Sequence, residues 1–246
     1  MSDWRFKPAR DLAMTFRARL RSVNRESSIF SILTRWIWWT LTAIHMRVFH
    51  RFRIVGSEHL PQQTPFILVA NHSSHLDVIS LMLAVPPLVR DRVHPLAAAD
   101  HFFGEVPMAT FTAFAFNALP VQRKGGGKGR EDMLALRERL LTDKCGLVLF
   151  PEGTRSRTGA MAPFKSGIGM LVAGTDVPVV PCYIEGAYDA FPASAFLPRP
   201  KRVHLHVGAP LTFADSLNDR QGCEDVVARL QEAVQALAGA MAQRTI

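Results

Sequence analysis

Phe66-Ile67-Leu68-Val69-Ala70-Asn71-His72-Ser73-Ser74-His75-Leu76-Asp77 is the stretch on which the reading of this chain turns. The apolar run at its start has the length and composition of a buried strand. Val78, Ile79, Leu81, Met82 and Leu83, which follow it, recur at helical spacing. Between strand and helix lies a tight turn carrying an imidazole and a carboxylate. On an ideal helix five residues put His72 and Asp77 about 140° apart, so the two cannot share a helix face. They meet only if His72 sits in the turn before the helix and Asp77 in its first turn, with Ser73 or Ser74 as N-cap. Two compatible readings fit. In one, His72 is a base whose second ring nitrogen is held by Asp77. In the other, Ser74-x-x-Asp77 is close to a capping box, and Asp77 caps backbone amides.

A second strand-to-turn junction lies about 75 residues further on. Gly146-Leu147-Val148-Leu149-Phe150 reads as a buried strand, and Pro151-Glu152-Gly153-Thr154-Arg155-Ser156 as the turn at its carboxyl end, where open α/β sheets place their ligands. Gly153 permits close backbone approach, and Thr154, Arg155 and Ser156 supply donors suited to phosphate. Glu152 is unexpected beside a phosphate; a substrate hydroxyl or a neighbouring cation is the partner it calls for. An ordinary polar loop fits this segment alone equally well.

The remaining chain alternates strands and helices, which makes an α/β domain. Short strands are read at Arg53–Gly56, at Val93–Ala98, with Pro95 pointing to a sheet edge or a strand start, and at Ala118–Arg123. Others are read at Val177–Ile184 and Val203–Val207. Helices are read over Glu131–Lys144 and Glu224–Met241, with Lys165 near the start of another. Lys124–Arg130 is basic and glycine-rich but does not fit GxxxxGK[ST]; it reads as a mobile loop, not a P-loop. Phe102, Phe103, Phe111, Phe114 and Phe116 read as core before an acyl groove. His204 and His206 share a strand face, but one pair at i, i+2 is weak evidence for metal, and a solvent face or core edge is expected there.

Composition narrows the rest. The 246 residues are 48% hydrophobic and 20% charged, which fits one large domain with an appendage. Cys145, Cys182 and Cys223 are widely spaced and odd in number, which argues against a disulfide framework or zinc site and for a reducing compartment. The net charge of +8 is carried by residues 1–55, where eleven Lys/Arg face three acids. Ile29–Met46 reads IFSILTRWIWWTLTAIHM, with Ser31, Thr34, Arg35, Thr42 and His45 within about 100° of arc, Trp38 on that side, Thr40 opposite, and Ile, Leu, Phe and Trp making up the remaining face. A spanning helix needs around 20 apolar residues, and a central Arg costs about 2.5–3.5 kcal/mol. A helix lying in the interface of an anionic bilayer is therefore the expectation, ahead of packing on the protein's own core or a true span. Residues 1–50 are read as this basic membrane-interface element and 51–246 as the globular domain. With apolar residues accompanying the charge, a membrane surface and not nucleic acid is the expected partner.

Together, Asn71-His72-x-Ser74-x-x-Asp77 and Phe150-Pro151-Glu152-Gly153-Thr154-Arg155-Ser156 resemble the HxxxxD and FPEGTRS blocks of the glycerolipid acyltransferase family, in particular its 1-acyl-sn-glycerol-3-phosphate acyltransferases. Val177-Pro178-Val179-Val180-Pro181 resembles the family's fourth block, and Lys165 falls where the family has a lysine. The second block departs: Asn117, Pro120 and Val121 precede its retained Arg123.

The resemblance implies the family's α/β fold, a mixed sheet flanked by helices with an N-terminal amphipathic membrane element, on the cytoplasmic membrane face. It implies transfer of a fatty acyl group from acyl-CoA or acyl carrier protein to a lysophospholipid hydroxyl, most naturally that of 1-acyl-sn-glycerol 3-phosphate, with no metal and no bound cofactor. A lyso-ornithine lipid, another lysophospholipid or glycerol 3-phosphate is the alternative acceptor. His72 is then the base and Asp77 its orienting group. Arg123, Arg155 and Lys165 grip phosphate, with Gly153 and Thr154 completing the cradle and Glu152 orienting the glycerol. Backbone amides near Ser73 and Ser74 are candidates for the oxyanion. A serine hydrolase using Ser73 or Ser74 lacks a GxSxG elbow, and a non-catalytic lipid-binding protein has no need of both blocks.

Overall fold

The computed structural model describes residues 14–15, 29–98, 106–121 and 127–242. Expectations at Arg123, Lys124, Phe102 and Phe103, and those on the arginines between 16 and 28, fall outside these residues. Helix α1 (Ile29–Phe49) leads into strand β1 (Arg53–Val55) and the central strand β2 (Phe66–Ala70). Next come α2 (Asp77–Ala84), β3 (Val93–Ala98), α3 (Val106–Phe116), β4 (Leu119–Val121), α4 (Gly127–Thr142) and β5 (Gly146–Leu149). The chain closes with α5 (Gly167–Val172), β6 (Val179–Glu185), α6 (Ala187–Ala190), β7 (His204–Val207) and α7 (Arg220–Ala242).

The seven strands form one mixed sheet in the order β1-β7-β6-β2-β5-β3-β4, and the only antiparallel pair among the described strands is β6–β7. Every residue of β2 is buried because helices cover both faces. Phe66, Leu68 and Ala70 face a core shared with α1 and α2, while Ile67 and Val69 face one shared with α4, α5 and α7.

Strand β3 lies inside the sheet order, but at Pro95 it has a neighbour on one side only. Up to Pro95, β3 pairs with β5 (Pro95 opposite Val148); from Leu96 onward it pairs with β4 (Leu96 opposite Leu119). The strand changes neighbour at the residue that lacks an amide hydrogen, so the proline leaves no ladder bond unmade on a second side. Gly127–Arg130, expected in the glycine-rich loop, forms the first turn of α4.

Helix α1 packs on the domain through one side and leaves a broad apolar side exposed. Among the described side chains of its polar stripe only Arg35 is buried: it is 7% exposed and pairs with Asp91 at 3.2 Å. Thr34 and Thr42 are half-buried, with Thr42 Oγ1 donating to the Trp38 carbonyl, and His45 is exposed, while Trp39 and Met46 join the core. Ile32, Leu33, Trp36, Ile37, Leu41 and Ile44 are exposed. No helix among the described residues is long and apolar enough to cross a membrane. All three cysteines are free and buried, and burial pushes the Cys145 thiol up to about 11.

Candidate active site

The loops after β2 and β5 meet because these strands are parallel neighbours, Phe66 opposite Gly146 through Val69 opposite Leu149. Two bonds knit them and a third braces the second loop on itself. Glu152 Oε1 accepts from the His72 amide at 2.7 Å, Glu152 Oε2 accepts from the Ala162 amide at 2.8 Å, and the Ser156 amide donates to the His72 carbonyl at 2.8 Å. Asn71 fixes the other side of the first loop: its amide nitrogen donates to the Ile184 carbonyl, and its oxygen accepts from the Ile184 amide.

Within that frame His72 Nδ1 lies 2.8 Å from Asp77 Oδ2. The same oxygen accepts from the amides of Ser73 and Ser74, both at 2.7 Å. Asp77 thus does what both sequence readings asked of it. Its carboxylate is fully buried, and an anion there is tolerable because it accepts several hydrogen bonds. With Nδ1 donating to Asp77, Nε2 is left as the acceptor nitrogen. The imidazole stacks on Phe150 at 4.1 Å between centroids, with 15° between planes, which fixes its tilt.

Several expectations need correction. Helix α2 begins at Asp77 with Leu76 as N-cap and no capping side chain, so neither Ser73 nor Ser74 is the cap. Instead, Ser74 Oγ accepts from the Leu76 amide and donates to the Phe191 carbonyl. Both serines are buried, and the Ser74 hydroxyl proton goes to Phe191, not to the His72 ring. The Ser73 and Ser74 amides are engaged by Asp77 and so are not free donors for an oxyanion. Glu152 is only 3% exposed and spends both oxygens on backbone amides, so it fastens the two loops instead of contacting a glycerol. Burial raises its pKa, while the amides of Ala162 and His72 pull the other way.

The cationic side of the site is partly assembled. Gly153 has φ +75, and a Cβ there would lie 2.6 Å from Lys165 Nζ. The glycine therefore lets the Lys165 ammonium lie against the turn, and the Lys165 amide donates to the Pro151 carbonyl at 3.0 Å. Arg155 reaches His75, donating to Nδ1 at 2.6 Å. Burial, and then the charge of Arg155, lower the His75 pKa. Thr154 is exposed at the end of the turn.

His72, Phe150, Gly153, Thr154 and Arg155 open onto a cavity of about 340 Å³. Its inner wall is apolar: Val78, Leu96, Phe111, Phe116, Val121, Met133 and Leu149. Phe111 and Phe116, expected in the core, line this cavity together with His75, and Asn71 braces the loop behind it; neither Asn71 nor His75 stands out by residue type. A histidine–carboxylate pair at the mouth of an apolar cavity with a cationic rim has the means to take a proton from a hydroxyl beside a bound chain.

A family model described as Acyltransferase matches residues 51–185. The 1-acyl-sn-glycerol-3-phosphate acyltransferase alpha of Mus musculus is 30% identical over 154 residues, which is 61% of this chain and 52% of the relative. The putative 1-acyl-sn-glycerol-3-phosphate acyltransferase acl-1 of Caenorhabditis elegans is 30% identical over 162 residues, covering 66% and 56%. The chain thus spans about half the length of the curated relatives it matches. Among solved structures, the 1-acyl-sn-glycerophosphate (LPA) acyltransferase PlsC of Thermotoga maritima shares the fold, with a TM-score of 0.61 at 23% identity over 87% of this chain and 88% of that one. With its family model covering more than half of its length, the chain belongs to the acyltransferase family.

Proposed function

We propose that this protein is a 1-acyl-sn-glycerol-3-phosphate O-acyltransferase that moves a fatty acyl group from acyl-CoA or acyl carrier protein to give phosphatidic acid. The observation that carries the reading is the 2.8 Å His72–Asp77 pair at the mouth of the apolar cavity, with Arg155 on its rim. In this reading His72 Nε2 takes the proton of the acceptor hydroxyl as its oxygen attacks the thioester carbonyl. The tetrahedral intermediate collapses with loss of the C–S bond, and the imidazolium returns the proton to the leaving thiolate. Asp77 holds the tautomer and stabilises the imidazolium. Arg155, Arg123 and Lys165 bind the acceptor phosphate beside Gly153 and Thr154, and fixing both substrates removes much of the entropic barrier. In this reading the protein works at the anionic cytoplasmic face of a membrane; the exposed apolar residues of α1 and the basic composition of residues 1–55 support it.

The test supplies a panel of lyso-acceptors and both donor types and reads the products by mass spectrometry. Phosphatidic acid formed from the lysophosphatidic acceptor is expected, and His72→Ala is expected to lower turnover by about 10²–10⁴-fold with the fold intact. Arg155→Ala should chiefly raise the acceptor KM. Acylation of only a lyso-ornithine lipid or glycerol 3-phosphate would reassign the acceptor. Near-normal turnover in folded His72→Ala would sink the mechanism.

A further inference from the structure

Strand pairing assembles a second cluster outside the cavity lining. His204 and His206 alternate along β7 and share one face, and antiparallel β6 places Glu185 opposite His204. Glu185 Oε2 lies 3.3 Å from His204 Nδ1 and 3.2 Å from His206 Nε2. One ligand atom from each of the three side chains lies within 4.8 Å of the other two.

We propose that Glu185, His204 and His206 form a binding site for a divalent transition metal ion of the zinc class. Two imidazoles and one carboxylate make a borderline donor set that suits zinc, whereas magnesium and calcium favour oxygen. Tetrahedral zinc with bonds of about 2.0–2.1 Å separates its ligand atoms by about 3.3–3.4 Å. Both separations from the Glu185 oxygen are within about 0.1 Å of that range. The side chain of His206 is 5% exposed, against 29% for His204 and 39% for Glu185. The site is therefore anchored on one buried ligand and open on the other two.

The sequence pair alone carried little weight because its third ligand lies in another strand. A bound ion would brace β6 one residue beyond Ile184, whose backbone holds Asn71. Without an ion, the same geometry is two ring nitrogens sharing one carboxylate oxygen. Titration separates the two cases. The full chain, prepared without a histidine tag and stripped with a chelator, is titrated with ZnCl₂ in a calorimeter, and in parallel with MgCl₂. A single Zn²⁺ per chain is expected, with no heat from Mg²⁺. His204→Ala and Glu185→Gln change partly exposed side chains and are checked for native circular dichroism. Each is expected to weaken zinc binding by more than about tenfold. No zinc binding by the unmodified chain, or unweakened binding in either folded variant, would overturn the site.

Discussion

One oxygen of Asp77 receives the His72 ring and two backbone amides, so orienting the imidazole and closing the turn are a single act. Glu152 does the corresponding work between loops, one oxygen on the His72 amide and the other on that of Ala162. A glutamine there accepts at one of these positions and opposes a second donor at the other. Glu152→Gln is therefore expected to destabilise the protein by about 1–3 kcal/mol, read from urea unfolding. In the proposed reaction it should lower kcat more than it raises the acceptor KM. A stable Glu152→Gln protein with only KM changed would return Glu152 to the substrate. His72 and Asp77 were legible in the sequence because their pairing is local, five residues apart across a turn. The duty of Glu152 was not, because its partners are amides, and amides leave no mark on side-chain identity.

Amphipathicity tells which residues of a helix share a face but not which face looks inward. In α1 Arg35 lies against the protein beside Trp39 and Met46, while most of the large apolar residues lie outside, with Trp36 66% and Leu41 61% exposed. An exposed apolar face of this kind, interrupted by Thr40, is characteristic of surfaces that meet an apolar partner. Replacing Trp36, Ile37 and Leu41 together with glutamate is expected to abolish co-sedimentation with anionic vesicles while leaving the melting temperature near that of the parent. Retained binding would move the membrane contact off this face. Arg35 belongs to the opposite side, and its ion pair with Asp91 explains why an arginine sits in so apolar a run. The same limit applied to β3: Pro95 ruled out an uninterrupted central ladder, but only the topology shows a strand passing from one neighbour to the next.

At the scale of the molecule, alternating strand and helix signals disclosed the α/β class, since buried strands and amphipathic helices leave different periods in the sequence. Strand order and the antiparallel β6–β7 pair had no such trace. Acid sensitivity is likewise a property of the assembled protein. His50 is fully buried, with Nδ1 at the Lys201 carbonyl and Nε2 without a hydrogen-bond partner among the described residues, and burial lowers its pKa. The pKa of His75 is also lowered. Groups whose folded pKa lies below the unfolded value of about 6.5 contribute stability that is present above that value and lost as pH falls through the folded one. The unfolding free energy should therefore decline as pH drops below about 6.5, and less steeply in a His50→Gln, His75→Gln double variant. Parallel profiles would show that other groups carry the acid limb.

The exchange of partners at Pro95 also forks the sheet. Leu149 and Phe150 continue one prong, and Leu96, Ala97 and Val121 stand on the other, all of them bordering the same cavity. A hollow made where two strands part company takes its width from main-chain divergence. Bulkier side chains can make it shallower, but trimming them lengthens it only until the crotch of the fork is reached.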